Sequence, residues 1–314
     1  MRIIAALLLC FAPTLLHAQQ LRVGIIGTDS SHSVEFAKRL NDLHSPHHVE
    51  GARVTAAYRG GNPALALSRD RIGRFTADLR SLGIPFVDHI QQLCSTSDAL
   101  LLLSVDPSLR IKEFREALAC GKPIFVDKPF AATYADALTM QKLATERHVA
   151  WFSASALRYD LPSQPNGVQG ADAWGPGELG ENDSLDLAWY GIHSLELLYQ
   201  VMGPGVASVA RAHTATTDFL TLIWQDGRIG TTRLVRPGKD FGIRVQTADG
   251  MTQQTIAVDY SPLLREIINF FRSGQAPVAN SETLEIFAVM EAAKRSMQAS
   301  GAPQPISPSQ ALPR

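Results

Sequence analysis

Two side chains in this sequence stand where an alcohol could be oxidised. Lys128 follows the apolar run 123–126 (PIFV) and precedes Pro129, so a cation sits at the carboxyl end of an expected strand and can donate to a hydroxyl. His193 lies in the stretch 189–199 (WYGIHSLELLY), which reads as a helix with Leu195 and Leu198 turned inward, so the imidazole projects from the helix start. A histidine titrates in the range needed to accept the proton that a hydroxyl loses as its carbon gives up hydride. Glu196 is one helical turn further on and can orient that ring, while Trp189 and Tyr190 offer flat faces for stacking on a sugar. Arg158 and Tyr159 close the segment after the expected strand 149–153 and could anchor a substrate, although Arg158 suits a structural ion pair equally well. His44, His47 and His48 cluster without acid or cysteine partners at metal-site spacing, so they read as a solvated loop and no metal is expected.

The elements that must position these groups follow from periodicity. Apolar strands are expected at 21–26, 54–58, 85–88, 99–105, 123–126 and 149–153, and helical spacing at 34–43, 71–82, 109–120 and 133–147. The run ALLLLSV at 99–105 is continuous, as in a strand buried on both faces. Strict alternation of strand and helix implies right-handed βαβ units in a doubly wound parallel sheet of α/β class, with ligands at the carboxyl ends of the strands. Residues 161–184 turn to Pro, Gly, Asn and Asp. Beyond them, 206–213, 217–224, 228–235 and 241–247 read as an antiparallel sheet, followed by amphipathic helices at 262–272 and 281–299. The division expected is 1–18 leader, 19–156 Rossmann-type domain, 157–300 α+β domain whose last helices can pack back on the first, and 301–314 a frayed tail.

The matching segments RVGIIG (22–27), ACGKPIFVDKPF (119–130), WYGIHSLELLY (189–199) and PVANSETLEIFAVMEAAKRS (277–296) together resemble the Gfo/Idh/MocA oxidoreductases. The resemblance implies an N-terminal Rossmann domain, a C-terminal open sheet, a bound NADP or NAD, a carbohydrate or polyol substrate, and a homo-oligomer. It places Lys128 and His193 in the catalytic roles. It is not uniform. The family has Glu-Lys-Pro where this chain has Asp127-Lys128-Pro129, and an acid four residues before the histidine, where Trp189 stands here.

The cofactor loop departs furthest. A dinucleotide fingerprint asks for Gly-x-Gly-x-x-Gly, and the chain reads Gly27-Thr28-Asp29-Ser30-Ser31-His32. Asp29 takes the position where backbone approaches pyrophosphate, and two unit charges about 4 Å apart at an effective dielectric near 20 repel by roughly 4 kcal/mol. The carboxylate either turns aside as a helix N-cap, or the cofactor shifts onto the hydroxyls of Thr28, Ser30 and Ser31, or the site is lost. Arg59 follows the second strand, where an NAD enzyme places an acid. With Arg69 or Arg71 it could pair a 2′-phosphate, which favours NADP. Asp106 follows the fourth strand and completes the expected cofactor set.

Composition bounds the class. The chain has 314 residues, 45% hydrophobic and 19% charged, with a net charge of -1. That suits one or two globular domains and gives no basic excess for nucleic acid. Arg2, a short apolar run and Leu16-His17-Ala18 read as a leader cleaved after Ala18, too short for a membrane span, which implies a periplasmic or secreted protein. Of three cysteines, Cys94 and Cys120 fall in helical patterns and are expected as buried thiols. Free nicotinamide cofactor is scarce outside the cytoplasm, so the expected activity is a nicotinamide-dependent oxidation of a sugar, polyol or sugar derivative with a tightly held cofactor. The alternatives are a redox-neutral glycosidase or lyase that oxidises its sugar transiently, and a carbohydrate-binding protein without catalysis.

Overall fold

The computed structural model describes residues 20–161, 165–180 and 184–306. The expected leader, 1–18, lies outside them. The first half alternates as expected: β1 (Leu21–Ile26), α1 (Ser31–Asn41), β2 (Ala52–Tyr58), α2 (Ala66–Ser81), β3 (Phe86–Val87), α3 (Leu93–Thr96), β4 (Ala99–Leu102), α4 (Pro107–Leu118), β5 (Ile124–Val126), α5 (Tyr134–Arg147) and β6 (Trp151–Phe152). The strands form one parallel sheet in the order β3-β2-β1-β4-β5-β6. All four residues of β4 are buried, because helices cover both faces. Strand order reverses between β1 and β4, which opens a crevice at their carboxyl ends.

The chain continues through β7 (Val168–Pro176), α6 (Gly191–Met202), β8 (Val206–His213), β9 (Thr217–Trp224), β10 (Ile229–Val235), β11 (Phe241–Thr247), β12 (Gly250–Ile256), α7 (Tyr260–Ser273), α8 (Asn280–Gln298) and β13 (Gln304–Pro305). These strands build a second sheet, β12-β11-β7-β10-β9-β8-β13, antiparallel throughout except for β7 beside β10. Two expectations are corrected here. The segment 161–184 contains a central strand, β7, hidden by its glycines. A Cβ on Gly175 would stand 2.5 Å from the Phe241 ring and 2.9 Å from Ser194 Oγ, so the poor strand former is what lets α6 and β11 approach. The tail does not fray at once either, since Gln304 and Pro305 pair with Val209 and Ser208; residues beyond 306 lie outside those described.

Cys94 and Cys120 are joined by a disulfide, which corrects the expectation of two thiols. Their Cα atoms are 4.9 Å apart, Cys94 in α3 and Cys120 just past the end of α4. Late residues complete the early domain: Leu263, Leu264, Ile267 and Phe270 of α7 share a core with Val34 and Phe36 of α1. No described helix is long and apolar enough to cross a membrane.

Candidate active site

The loops after β1, β4, β5 and β6 meet the start of α6 around a cavity of about 450 Å³, a size usual for small-molecule sites. Arg110 sets its floor. This side chain is 1% exposed and donates to the carbonyls of Ser104, Asp127 and Pro129, which ties the loop after β4 to the loop after β5. The Lys128–Pro129 peptide bond between those carbonyls is cis. Lys128 faces the cavity, with Nζ 3.3 Å from the Trp189 carbonyl and 5.7 Å from the Tyr190 ring centroid. Burial lowers the Lys128 ammonium from its ordinary range, and Arg110 adds to this, while Asp127 and Glu196 oppose it.

His193 lines the same cavity from the first turn of α6. Its Nδ1 is 2.6 Å from Ser155 Oγ, and its ring packs edge-on against Phe241. Burial, with Lys128 and His32 nearby, holds the imidazole well below its ordinary pKa, so His193 is neutral at physiological pH. The orienting role expected of Glu196 is not what the structure shows. Glu196 is buried and pairs with Arg158 at 2.8 Å, and Arg158 also meets Glu282. Arg158 is 3% exposed in this cluster, and neither it nor Tyr159 lines the cavity. Arg158 is corrected from substrate ligand to structural residue, because two carboxylates neutralise its buried guanidinium, and Tyr159 is corrected likewise because it packs against the core of the first domain. Trp189 and Tyr190 do line the cavity.

Asp29 resolves in a way that residue type alone did not show. It is fully buried, and it accepts hydrogen bonds from Ser68 Oγ at 2.6 Å and from the Val105 N–H at 3.0 Å. It turns aside, but not as a cap; the N-cap of α1 is Ser30, whose side chain makes no capping bond. Gly27, at φ +85°, packs against Ser104 so closely that a Cβ would be 2.6 Å from its Cα. Thr28 donates to the Arg59 carbonyl. The Arg59 side chain is exposed, outside the cavity wall. Asp106 caps α4 through the Ser108 N–H and accepts from Asn62 at 2.6 Å. It lines a neighbouring space of about 720 Å³, which meets the first at Leu67 and Trp189.

Ser155, Tyr260 and His32 are among the lining residues that sequence reasoning passed over. Ser155 carries His193, and Tyr260 closes one side. His32 occupies the last fingerprint position, and its Nδ1 lies 2.7 Å from Asp127 Oδ2. The signal for His32 was present as a titratable residue where a glycine belongs. Among the described residues, no group of three or more His, Cys, Asp or Glu side chains is placed to hold a metal.

Residues 21–155 match the family model described as "Oxidoreductase family, NAD-binding Rossmann fold". That model is the one for the Gfo/Idh/MocA oxidoreductases, and the match is confined to the first domain. Solved structures similar in fold along nearly the whole chain include three complexes. An oxidoreductase from Agrobacterium radiobacter with NAD+, L-tartaric acid and magnesium has a TM-score of 0.71 at 17% identity, covering 92% of this chain and 99% of that one. A myo-inositol dehydrogenase from Lactobacillus casei with NAD(H) and myo-inositol gives 0.70 at 15% identity, with 94% and 99% covered. The WlbA dehydrogenase from Bordetella pertussis with NADH and UDP-GlcNAcA gives 0.68 at 18% identity, with 92% and 99% covered. No curated protein matches by sequence.

The first domain is similar to an NAD-binding Rossmann fold, and its own residues fit the phosphate end of such a cofactor. Ser30 Oγ is buried at the N-terminus of α1 with no hydrogen-bond partner among the described residues, and it lines the cavity. The first N–H groups of a helix lack intrahelical partners and attract anions. The Asp29 carboxylate, bound elsewhere, does not confront a phosphate at that end.

Proposed function

We propose that the protein oxidises a hydroxyl of a sugar, polyol or sugar derivative, using NADP or NAD held tightly at the end of α1. The observation that carries this reading is the convergence of Lys128, His193 and the unpartnered Ser30 Oγ on one cavity. Ser30 and Ser31 would hold the phosphates, with Thr28 behind them and Lys128 reaching the nicotinamide ribose. The nicotinamide, when bound, supplies the hydride acceptor. Lys128 would donate to the substrate oxygen and hold it. Neutral His193 would hydrogen-bond the same hydroxyl.

Two further observations support the substrate class. Glu178 lines the cavity with a buried Oε2 that has no partner among the described residues, an acceptor suited to a hydroxyl. Trp189, Tyr190 and Phe241 supply ring faces and edges around it. The Cys94–Cys120 bridge, together with the leader-like first residues, supports a periplasmic or secreted protein, since disulfides persist in oxidising compartments.

Denaturing the protein purified from a cell-envelope fraction tests the reading. Nicotinamide should appear in the supernatant, and a panel of sugars and polyols should reduce the bound cofactor. Lys128→Ala and His193→Ala should each abolish turnover while the fold remains intact. Protein that releases no nicotinamide and takes none up on incubation would overturn the proposal. Cleavage of a glycoside without net oxidation would instead assign the redox-neutral reaction.

A further inference from the structure

The reading above leaves the hydroxyl proton without a good place to go. His193 can receive a hydrogen bond, but Lys128 and burial oppose its taking a positive charge. Its partner, the Ser155 hydroxyl, can donate or accept, so it does not choose the ring's tautomer. The acid that would have supported His193 is absent, because Trp189 stands in its place.

A second imidazole on the same cavity has what His193 lacks. His32 Nδ1 is 2.7 Å from Asp127 Oδ2. Burial works to raise the Asp127 carboxyl, but His32, Arg110 and Lys128 outweigh it and hold it at about 2, so it is an anion. An ionised carboxylate can only accept, so Nδ1 of a neutral His32 carries the hydrogen and Nε2 carries the lone pair. Nε2 makes no hydrogen bond among the described residues, and the side chain keeps 16% of its exposure, on the cavity. The ring is fixed in place: Phe36 stacks on it at 5.5 Å and Tyr260 meets it edge-on at 4.9 Å. The charged and titratable groups around it are Asp127, Lys128 and Arg110 from the β4 and β5 side, His193 and Tyr190 from α6, and Tyr260 from α7.

We propose that His32, held by Asp127, is the proton acceptor of this site. The inference rests on the oxidoreductase reading. As the substrate O–H bond breaks, an Nε2–H bond forms. The carbon's hydride leaves with its electron pair to the nicotinamide oxidant, and the oxygen's pair closes the carbonyl. His32 is then an imidazolium paired with the Asp127 carboxylate, and it returns its proton to water at the cavity mouth. Lys128 holds the oxygen throughout, and His193, whose Ser155 partner permits either tautomer, donates its Nε2–H to that oxygen rather than accepting from it. The third fingerprint glycine has thus given way to a working side chain.

The test begins with the full mature chain and needs no substrate. Histidine nitrogen NMR of the neutral ring should show hydrogen on Nδ1 of His32 and none on Nε2, and Asp127→Asn should disturb that preference. Hydrogen on Nε2 in the wild type would overturn the proposal. In turnover with the fastest polyol or sugar of the panel, His32→Ala should lower kcat by roughly 10²- to 10⁴-fold, with KM and released nicotinamide little changed. Added imidazole should restore part of that loss, which a merely structural role for His32 would not allow. A kcat close to wild type, or a loss that imidazole does not relieve, would also overturn it. Absence of released nicotinamide from the wild type would strike the oxidoreductase reading itself, a separate and distinguishable failure.

Discussion

Ser68 Oγ stands 2.6 Å from Asp29 Oδ2, and this contact, with the Val105 N–H, removes a carboxylate from the phosphate end of α1. The same acid that threatens a dinucleotide by its position in the sequence is, in three dimensions, a rivet between the loops after β1 and β4 and the start of α2.

Asp29→Ala should therefore cost stability and not improve cofactor binding. It strands a buried N–H and a buried hydroxyl, a penalty of about 1–3 kcal/mol, readable as a lowered denaturation midpoint. A tighter nicotinamide Kd in this variant would show that the carboxylate repels the cofactor after all.

How much of this was legible beforehand depended on whether a residue's role was local. The parallel sheet was readable from the buried run of β4 and the strand–helix alternation. Lys128 and His193 were readable because each sits at a predictable end of an element. Strand β7 was not, because Gly175 answers a crowding by Phe241 and Ser194 that only the folded molecule creates. Arg158 misled for a similar reason: its two carboxylate partners, Glu196 and Glu282, are 38 and 124 positions away in the chain. His32 was visible, but its meaning needed Asp127, from a loop four strands later in the chain.

Arg59 is exposed at the end of β2, where a ribose would be read. Arg59→Asp should weaken NADP by about tenfold or more, some 1.4 kcal/mol, with much less effect on NAD. Equal losses for both cofactors in a binding titration would exclude phosphate pairing.

Glu113 is buried beneath the loop after β4, where it accepts from Ser104 Oγ at 2.6 Å; burial pushes its carboxyl up to about 7. A carboxyl raised in the folded state stabilises fully below its unfolded value near 4.5, and that contribution is lost as pH rises through about 7. Wild-type stability should thus fall across this window by about 3 kcal/mol. Glu113→Gln should flatten the profile there, as followed by denaturant titration at several pH values. An unchanged slope would contradict the assignment.

The Cys94–Cys120 bridge closes a loop 26 residues long. Replacing both cysteines with serine should cost about 3 kcal/mol, seen as a lower Tm, with the cavity residues and cofactor content unaffected. Equal Tm values for the oxidised and the substituted protein would remove the bridge from the stability account.

The packing of α7 against α1 has a consequence for how the molecule is made. Phe270 meets Phe152 at 4.9 Å and Tyr260 meets Phe36 at 5.8 Å, so the nucleotide-binding half lacks part of its own interior until the polypeptide is more than four-fifths synthesised. A fragment ending near residue 156 would present that bare greasy flank to solvent and self-associate. The first half is thus completed only by residues that the second half delivers.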